Sequence, residues 1–305
     1  MFEVSSRTGK IYRIAGPLVV ATDIPSPKMY EVVYVGNEGL IGEVIGVRGE
    51  KAFIQVYEET TGLTVGEKVE ATGELLSAEL GPGLIGSIYD GLQRPELEIA
   101  KFLNDIFIKR GAKVSVLKRD VKWAYTAERN IRVGDKVEPG DLIGFVQETP
   151  IVTHKIMIPP GVSGILKWRA GDGEYAVDDV VALVESSGRK YEVKLYQKWP
   201  VRVPRPFKEK LSPTEPLITG TRVIDLMFPL AKGGKAAVPG GFGTGKTVLL
   251  QSLTKWSHAD VAVFVGCGER GNEMADALKS FVELYDVRRK RPMMERSVFI
   301  ANTSN

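Results

Sequence analysis

Cysteine and histidine are nearly missing from this chain: Cys267 is alone, and His154 and His258 are the two histidines in 305 residues. A lone cysteine excludes an internal disulfide and suits a reducing cytosol. Neither histidine has partners at metal-ligand spacing, so no site built on them is expected. Long apolar runs are also lacking. None approaches the ~20 residues that cross a bilayer as a helix, so any membrane role is expected to run through partners. No secretory leader is expected, because Met1–Ser6 leads into alternating, strand-like residues. Nor is charge of one sign in excess: 41 Lys and Arg against 38 Asp and Glu leave a formal charge of +3, with no global signal for binding polyanions. The one basic run, Arg288-Arg289-Lys290-Arg291, has no interleaved aromatics. It reads as a solvated loop between helices, and no nucleic-acid partner is expected.

What the chain does have is Gly-Gly-Phe-Gly-Thr-Gly-Lys-Thr at 240–247. This fits G-x-x-x-x-G-K-[ST], the phosphate-binding P-loop. The glycines permit a tight loop whose N–H groups turn inward. With the start of the next helix, those groups cradle anionic oxygens. Lys246 is expected to reach the β- and γ-phosphates, and the Thr247 hydroxyl to ligate Mg2+. Lys235–Pro239 is a short apolar run expected to form the preceding strand. Leu249, Leu250, Leu253 and Trp256 follow at helical spacing. A flexible Gly-rich turn is the plainer alternative. A dinucleotide-binding turn fits less well, because no G-x-G-x-x-G opens the helix.

Around the loop the chain reads as several domains. In residues 1–72, Ile11–Ile14, Leu18–Ala21, Tyr30–Val35, Ile41–Val47, Ala52–Val56 and Lys68–Ala71 are short apolar or alternating runs separated by Gly-rich turns. That spacing predicts a small β-barrel. Ile99, Phe102, Leu103, Ile106 and Phe107 then lie at i, i+3, i+4, i+7 and i+8 and predict an amphipathic helix. Residues 111–185 return to short strands, with Val133–Val137, Pro139–Gly144 and Ile165–Trp168 among them, and read as an inserted β module. A Pro-rich connector at 194–214 precedes a short helix near Arg222–Leu226 and the P-loop. Val261–Val265 is a continuous apolar run of the kind that forms a buried parallel strand. A helix from about Asn272 to Tyr285 follows, with Met274, Leu278, Phe281, Val282 and Tyr285 on one face, and Val298–Ala301 is the last strand. The alternation predicts a parallel α/β sheet. The expected division is 1–72 for the barrel, 73–110 plus 186–305 for an incomplete nucleotide-binding P-loop domain, and 111–185 for the insert.

A second constellation follows the Val261–Val265 run: Gly-Cys-Gly-Glu-Arg-Gly-Asn-Glu at 266–273. In an open parallel sheet ligands bind at the carboxyl ends of the strands. If the two strands are neighbours, Lys246 and Glu269 face one crevice. A carboxylate there can orient water in line with a terminal phosphoryl bond, and Arg270 can pair with an acid or with phosphates. Glu269 can equally be an acid serving a helix N-terminus, though Glu273, in the first turn, suits that role better. Cys267 reads as a small residue packed beside the phosphate loop rather than a nucleophile.

On these residues the chain closely resembles the catalytic A subunit of the archaeal/vacuolar-type rotary ATPase. The segments that carry the resemblance are Tyr-Asp-Gly-Leu-Gln-Arg-Pro at 89–95, Pro-Leu-Ile-Thr-Gly-Thr-Arg-Val-Ile-Asp at 216–225 and Phe-Pro-Leu-Ala-Lys-Gly-Gly at 228–234. They continue with the loop at 239–248, Val-Gly-Cys-Gly-Glu-Arg-Gly-Asn-Glu-Met at 265–274 and Ile-Ala-Asn-Thr-Ser-Asn at 300–305. The insert at 111–185 is itself a mark of A subunits, absent from the related bacterial and mitochondrial subunits. The resemblance implies a RecA-like nucleotide-binding domain and ATP synthesis or hydrolysis in an A3B3 ring. It implies B subunits and central and peripheral stalk subunits as partners. Rotation would be coupled to H+ or Na+ movement through a membrane sector, with this chain peripheral on the cytoplasmic face.

By motif match, Gly240, Gly241, Phe242, Gly243, Thr244, Gly245, Lys246, Thr247 and Val248 hold ATP or ADP. Thr247 takes Mg2+, and Glu269, Lys246 and Arg270 form the catalytic set. The family usually has Pro where Gly241 stands and Ser where Thr244 stands. Its members are nearly twice this long, so a later strand with the Walker B aspartate, the adenine-holding aromatics and a helical domain are expected to lie outside this sequence. The polypeptide alone is then expected to be nearly inactive, with a sheet ending on an exposed apolar edge. Two other readings stay open: another ring-shaped P-loop motor, such as a termination helicase or an export ATPase, and a nucleotide-binding assembly module without turnover.

Overall fold

Inward and outward side chains alternate along six short strands, and that alternation lets them close on themselves. The computed structural model describes residues 7–103, 110–112, 114–207, 209–241 and 243–303. The strands are β1 (Arg7–Ala15), β2 (Leu18–Thr22), β3 (Glu31–Val35), β4 (Leu40–Arg48), β5 (Lys51–Val56) and β6 (Lys68–Leu75). They form a closed barrel in the order β1-β2-β5-β4-β3-β6, with every pair antiparallel and β6 returning to β1. Val33 and Val35 of β3 and Ile54 and Val56 of β5 point into a dry core with Ile11, Val19, Leu40, Val44 and Val69. Register shifts between Ile11 and Arg13 and between Val44 and Gly46 supply the bends that closure needs. The barrel expected from the sequence is present.

Contacts divide the chain into two compact units. One comprises Met1–Ala78, Leu97–Val114 and Lys198–Pro204; the other comprises Glu79–Glu96, Ser115–Gln197 and Arg205–Asn305. After the barrel come β7 (Ser77–Leu80), β8 (Ile88–Asp90) and α1 (Glu96–Leu103). Part of the amphipathic helix expected at 99–107 is therefore seen, while Ile106 and Phe107 lie outside the described residues.

The next eight strands form a sandwich. Its strands are β9 (Lys122–Ala127), β10 (Lys136–Val137), β11 (Leu142–Thr149), β12 (Val152–Met157), β13 (Gly164–Arg169), β14 (Gly173–Ala176), β15 (Val180–Ser186) and β16 (Arg189–Lys194). One sheet runs β10-β13-β15-β16 and the other β12-β11-β9-β14. Tyr125, Ile143, Val146, Leu166, Val181 and Val184 fill the space between them. The strands expected over 133–137 and 139–144 each open with a turn and pair only in their second part, as β10 and the start of β11. Asp135 accepts the Arg132 amide at 2.8 Å and Asp141 accepts the Glu138 amide at 2.7 Å. These side-chain bonds fold 132–135 and 138–141 back on themselves, so pairing starts only at Lys136 and Leu142.

The remaining elements are β17 (Gln197–Pro200), β18 (Pro216–Leu217), α2 (Arg222–Met227), β19 (Leu230–Ala231), α3 (Lys246–Trp256), β20 (Ala262–Glu269), α4 (Gly271–Val282), β21 (Tyr285–Asp286), β22 (Arg291–Pro292), a 3-10 turn (Met293–Arg296) and β23 (Ser297–Thr303). Two of them, β20 and β23, form a parallel sheet with β8 in the order β20-β23-β8. Phe264 stacks on Phe299 at 4.8 Å, and Phe281 of α4 meets Phe299 edge-on at 5.9 Å. The α/β arrangement is as expected, with four differences.

The run Lys235–Pro239 is exposed and forms no strand. Pro239 has no N–H for a ladder, and Gly233 and Gly234 precede the run. The strand β8, unexpected from its three residues, pairs instead with β23. The run Val261–Val265 is not buried on both faces: Val263 is 60% exposed and Val265 54%, on a strand at the edge of the described sheet. Finally, α4 ends at Val282, and Tyr285 belongs to β21 with its ring half exposed. Among the described residues no helix is long and apolar enough to cross a membrane.

Candidate functional site

The loop at 240–247 folds by glycine geometry. Gly243 (φ 72°) and Gly245 (φ 82°) are left-handed, a conformation that costs any L side chain ~1–2 kcal/mol. Gly245 is the N-cap of α3, and no side chain caps that helix start. Its first N–H groups therefore remain for an anion. Inside the loop the Thr244 hydroxyl donates to the Gly241 carbonyl at 2.9 Å, and the Lys246 ammonium folds back onto the Gly240 carbonyl at 2.5 Å. Lys246 and Thr247 both stand in the first turn of α3. Left-handed glycines, uncapped amides and an ammonium together fit a polyphosphate. Phe242 lies outside the described residues. Val248, in the same helical turn, is 70% exposed.

Helix α3 is tied down at its far end. The buried Arg296 donates to the Thr254 carbonyl at 2.9 Å, to the Ala259 carbonyl at 3.1 Å and to Asp286 at 2.7 Å. Its side chain is 0% exposed and that of Asp286 is 1% exposed. Burial by itself would raise the Asp286 pKa. Hydrogen bonds from the Arg289 amide and from the Arg296 and Arg289 guanidinium groups outweigh burial and hold it below the ordinary value. A second tether comes from the segment before α2. Asp225 accepts from the Thr219 hydroxyl and amide and from the Gly220 amide at 2.7–2.9 Å. Its pKa is lowered, chiefly by the Thr219 hydroxyl. The turn so formed receives the His258 amide on the Ile218 carbonyl at 3.0 Å. Sequence reading places Asp225 in a matching segment without a role and does not find Arg296, because a buried ion pair leaves no periodic signal.

Glu269 ends β20, where the register with β23 slips between Cys267 and Glu269 and Gly268 turns left-handed (φ 69°). Such a bulge re-aims the next side chain and stops pairing, a feature common beside active sites. Arg270 is the N-cap of α4, and Glu273 sits in that helix's first turn, as the dipole reading of Glu273 expected. Cys267 is exposed on β20 rather than packed. The loop at 240–247 thus brings together Gly240, Gly241, Thr244 and Lys246, while Glu269 and Arg270 share a separate strand-to-helix turn. The basic run pairs with acids, Arg289 with Asp286 at 3.2 Å and Arg291 with Glu295 at 2.7 Å.

A P-loop at the head of a helix and a parallel sheet, preceded by a barrel and a β-sandwich, define a class of nucleotide-binding proteins. The chain belongs to the ATP synthase alpha/beta family. Its beta-barrel domain matches residues 11–73, the barrel-sandwich domain matches 114–202, and the nucleotide-binding domain matches 220–305. Within that family it is similar to the A subunit of the A-type ATP synthase of Hyperthermus butylicus, 58% identical over 297 residues, and to that of Methanopyrus kandleri, 57% identical over 302 residues. These alignments cover 97% and 99% of this chain but 49% and 50% of the relatives. The chain therefore spans about half the length of the curated relatives it matches, as the resemblance implied. Among solved structures, the assembled ATPase EscN of the enteropathogenic E. coli type III secretion system shares the fold, with a TM-score of 0.53 and 18% identity over 97% of this chain and 48% of that one.

Proposed function

We propose that this chain forms the phosphate-binding part of the catalytic subunit of a rotary ion-translocating ATPase, acting on ATP or ADP with Mg2+. The observation that carries the reading is the uncapped start of α3 behind two left-handed glycines, with Lys246 and Thr247 in its first turn. Gly240 to Val248 would line the phosphates, and the Thr247 hydroxyl would hold Mg2+, which would supply neutralising charge. Lys246 would exchange the Gly240 carbonyl for a phosphate oxygen, a stronger, charge-assisted acceptor. Glu269, re-aimed by the bulge, would orient the attacking water, with Arg270 beside it. The proposed domains are 1–72, 73–110 plus 186–305, and 111–185. The proposed partners are B subunits in an A3B3 ring, stalk subunits and, through them, a membrane ion-translocating sector, with the chain peripheral on the cytoplasmic face.

The test is turnover by the assembled complex, reconstituted with B subunits and the remaining half of the catalytic polypeptide. Lys246→Ala is expected to abolish tight MgATP binding. Glu269→Gln is expected to keep binding while turnover falls roughly 10²–10⁴-fold, the scale of a positioned base. Undiminished turnover in Glu269→Gln would remove that residue from the mechanism.

A further inference from the structure

The largest fully buried side chain among the described residues is a charged one, Arg296. The phosphate chemistry proposed above does not touch it. A buried ion pair is weak evidence of stability, because desolvating both charges offsets most of their attraction. Apolar side chains of like volume commonly serve as well. What a guanidinium adds is direction: it is a planar fork whose N–H groups leave at fixed angles.

Three elements lie along those directions. One terminal nitrogen donates to the Thr254 carbonyl in the last turn of α3, and the other to the Ala259 carbonyl between α3 and β20. The Nε donates to Asp286 of β21. Asp286 is itself fixed, since its other oxygen accepts the Arg288 and Arg289 amides at 3.0 and 2.9 Å. Arg296 stands directly before β23, which runs beside β20 as far as Thr303 and Glu269. One side chain thus joins the helix that begins with Lys246 to the approach of the strand that ends with Glu269. It does so at the ends remote from those two residues.

Small changes at that end are magnified at the other. Helix α3 has 11 residues, none of them buried, and so spans ~16 Å. A tilt of about 5° at the Arg296 end would move its first turn by about 1.4 Å. Misplacing reacting groups by ~1 Å can cost on the order of 10²-fold in rate. Binding is less sensitive, because the loop amides and Lys246 belong to one segment and carry the phosphates with them.

We propose that Arg296 is a positioning residue: from the base of the sheet it sets the angle between α3 and β20, and so places loop-bound phosphates against Glu269. This inference rests on the function proposed above.

The experiment measures MgATP turnover of the assembled complex with the native chain, Lys246→Ala, Arg296→Met, and Arg296→Met combined with Asp286→Asn. The combined change leaves no lone buried charge and keeps a side-chain oxygen for the two amides. Its urea midpoint is therefore expected to return most of the way to native. Turnover per nucleotide site is expected to stay roughly 10²-fold down in both Arg296 variants, with KM for MgATP within about threefold of native. A purely structural role predicts that turnover recovers together with the midpoint, and that result would overturn the proposal.

A second measurement needs no turnover. Spin labels on the exposed Cys267 of β20 and on Leu250→Cys of α3, a position 43% exposed, report the angle in the 305-residue chain. Their distance distribution is expected to broaden with the combined change, and an unchanged distribution also overturns the proposal. Full turnover in Arg296→Met beside an inactive Lys246→Ala defeats the positioning role alone. Full turnover in Lys246→Ala defeats the reading of the site, and this inference with it.

Discussion

The barrel and the P-loop segment solve the same problem, burying apolar residues, in opposite ways. In the barrel each strand has two neighbours, and side chains from all six strands share a core with no free edge. In the P-loop segment α3 buries none of its residues, and α2 leaves Leu226 80% exposed. Along β20, Val263 and Val265 face outward. A closed sheet is self-sufficient, because its hydrogen bonds and its apolar face are satisfied by its own chain. A phosphate loop must instead keep helix-end amides uncapped for its ligand. The surface around it stays open, so its stability rests on a few tethers.

Amide exchange on the isolated chain tests this contrast most directly. Barrel amides such as those of Val33 and Ile54 are expected to open only with global unfolding, whereas those of α3 open locally. A difference in protection on the order of 10³-fold or more is expected. Equal protection would show that α3 is held by more than its two end tethers.

The tethers themselves can be cut. Arg296→Met leaves the buried Asp286 with the Arg289 guanidinium and the Arg288 and Arg289 amides, and removes both carbonyl contacts. Breaking such a pair from one side is expected to cost about 3–5 kcal/mol. The loss should appear in the exchange of α3 and the parallel sheet, with the barrel unmoved. Ile54→Ala is the converse cut, costing about 2–5 kcal/mol in the barrel alone. A single change that weakened both regions equally would end the comparison.

How far these features can be read from sequence differs along the same line. The barrel strands were legible because Val33 and Val35, or Ala52, Ile54 and Val56, repeat with period two and face one shared core. Helix α3 was legible from its glycine loop and the spacing of Leu249, Leu253 and Trp256. By contrast, β8 is three residues long, too short for any periodicity, and holds its place only by pairing with β23. The run at 235–239 looked like a strand because local apolarity cannot show whether a ladder partner is present. Position 269 stood out by its place just after the Val261–Val265 run, yet the register slip beside it is a property of two strands together. The pair Arg296–Asp286 joins residues ten apart, and nothing in their spacing announces burial.

Acid distinguishes the regions more mildly. In the barrel unit the buried Glu43 accepts from Arg202 and from the Tyr57 hydroxyl at 2.8 Å. Burial would raise its pKa, but Arg202 and Tyr57 prevail and lower it from the ordinary 4.5. Asp286 is likewise lowered, from 3.8. A depressed carboxyl contributes fully above its unfolded value and loses that contribution as pH falls through its folded value. Both regions are therefore expected to weaken on acidification below those two values, with Glu43→Gln and Asp286→Asn each flattening the urea-midpoint profile of its own region. Salt at neutral pH should separate them. Arg202 is half exposed and Arg296 buried, so 1 M NaCl, where screening reaches ~3 Å, is expected to weaken the Glu43 pair more.

The smallest expected effect lies in the loop. Gly241 is not left-handed, and a Cβ there meets nothing within 4 Å, so alanine fits without strain. Its carbonyl is already held by Thr244. Gly241→Ala should then remove loop conformers that must be given up on phosphate binding, a gain of about 0.4–1 kcal/mol, or about two- to fivefold in MgATP affinity of the assembled complex. Gly245→Ala, at φ 82°, should move affinity the other way by about 1–2 kcal/mol. If Gly241→Ala weakens binding instead, the loop must flex at that position to admit phosphate, and the openness of this region is then a requirement of binding rather than a by-product of exposed amides.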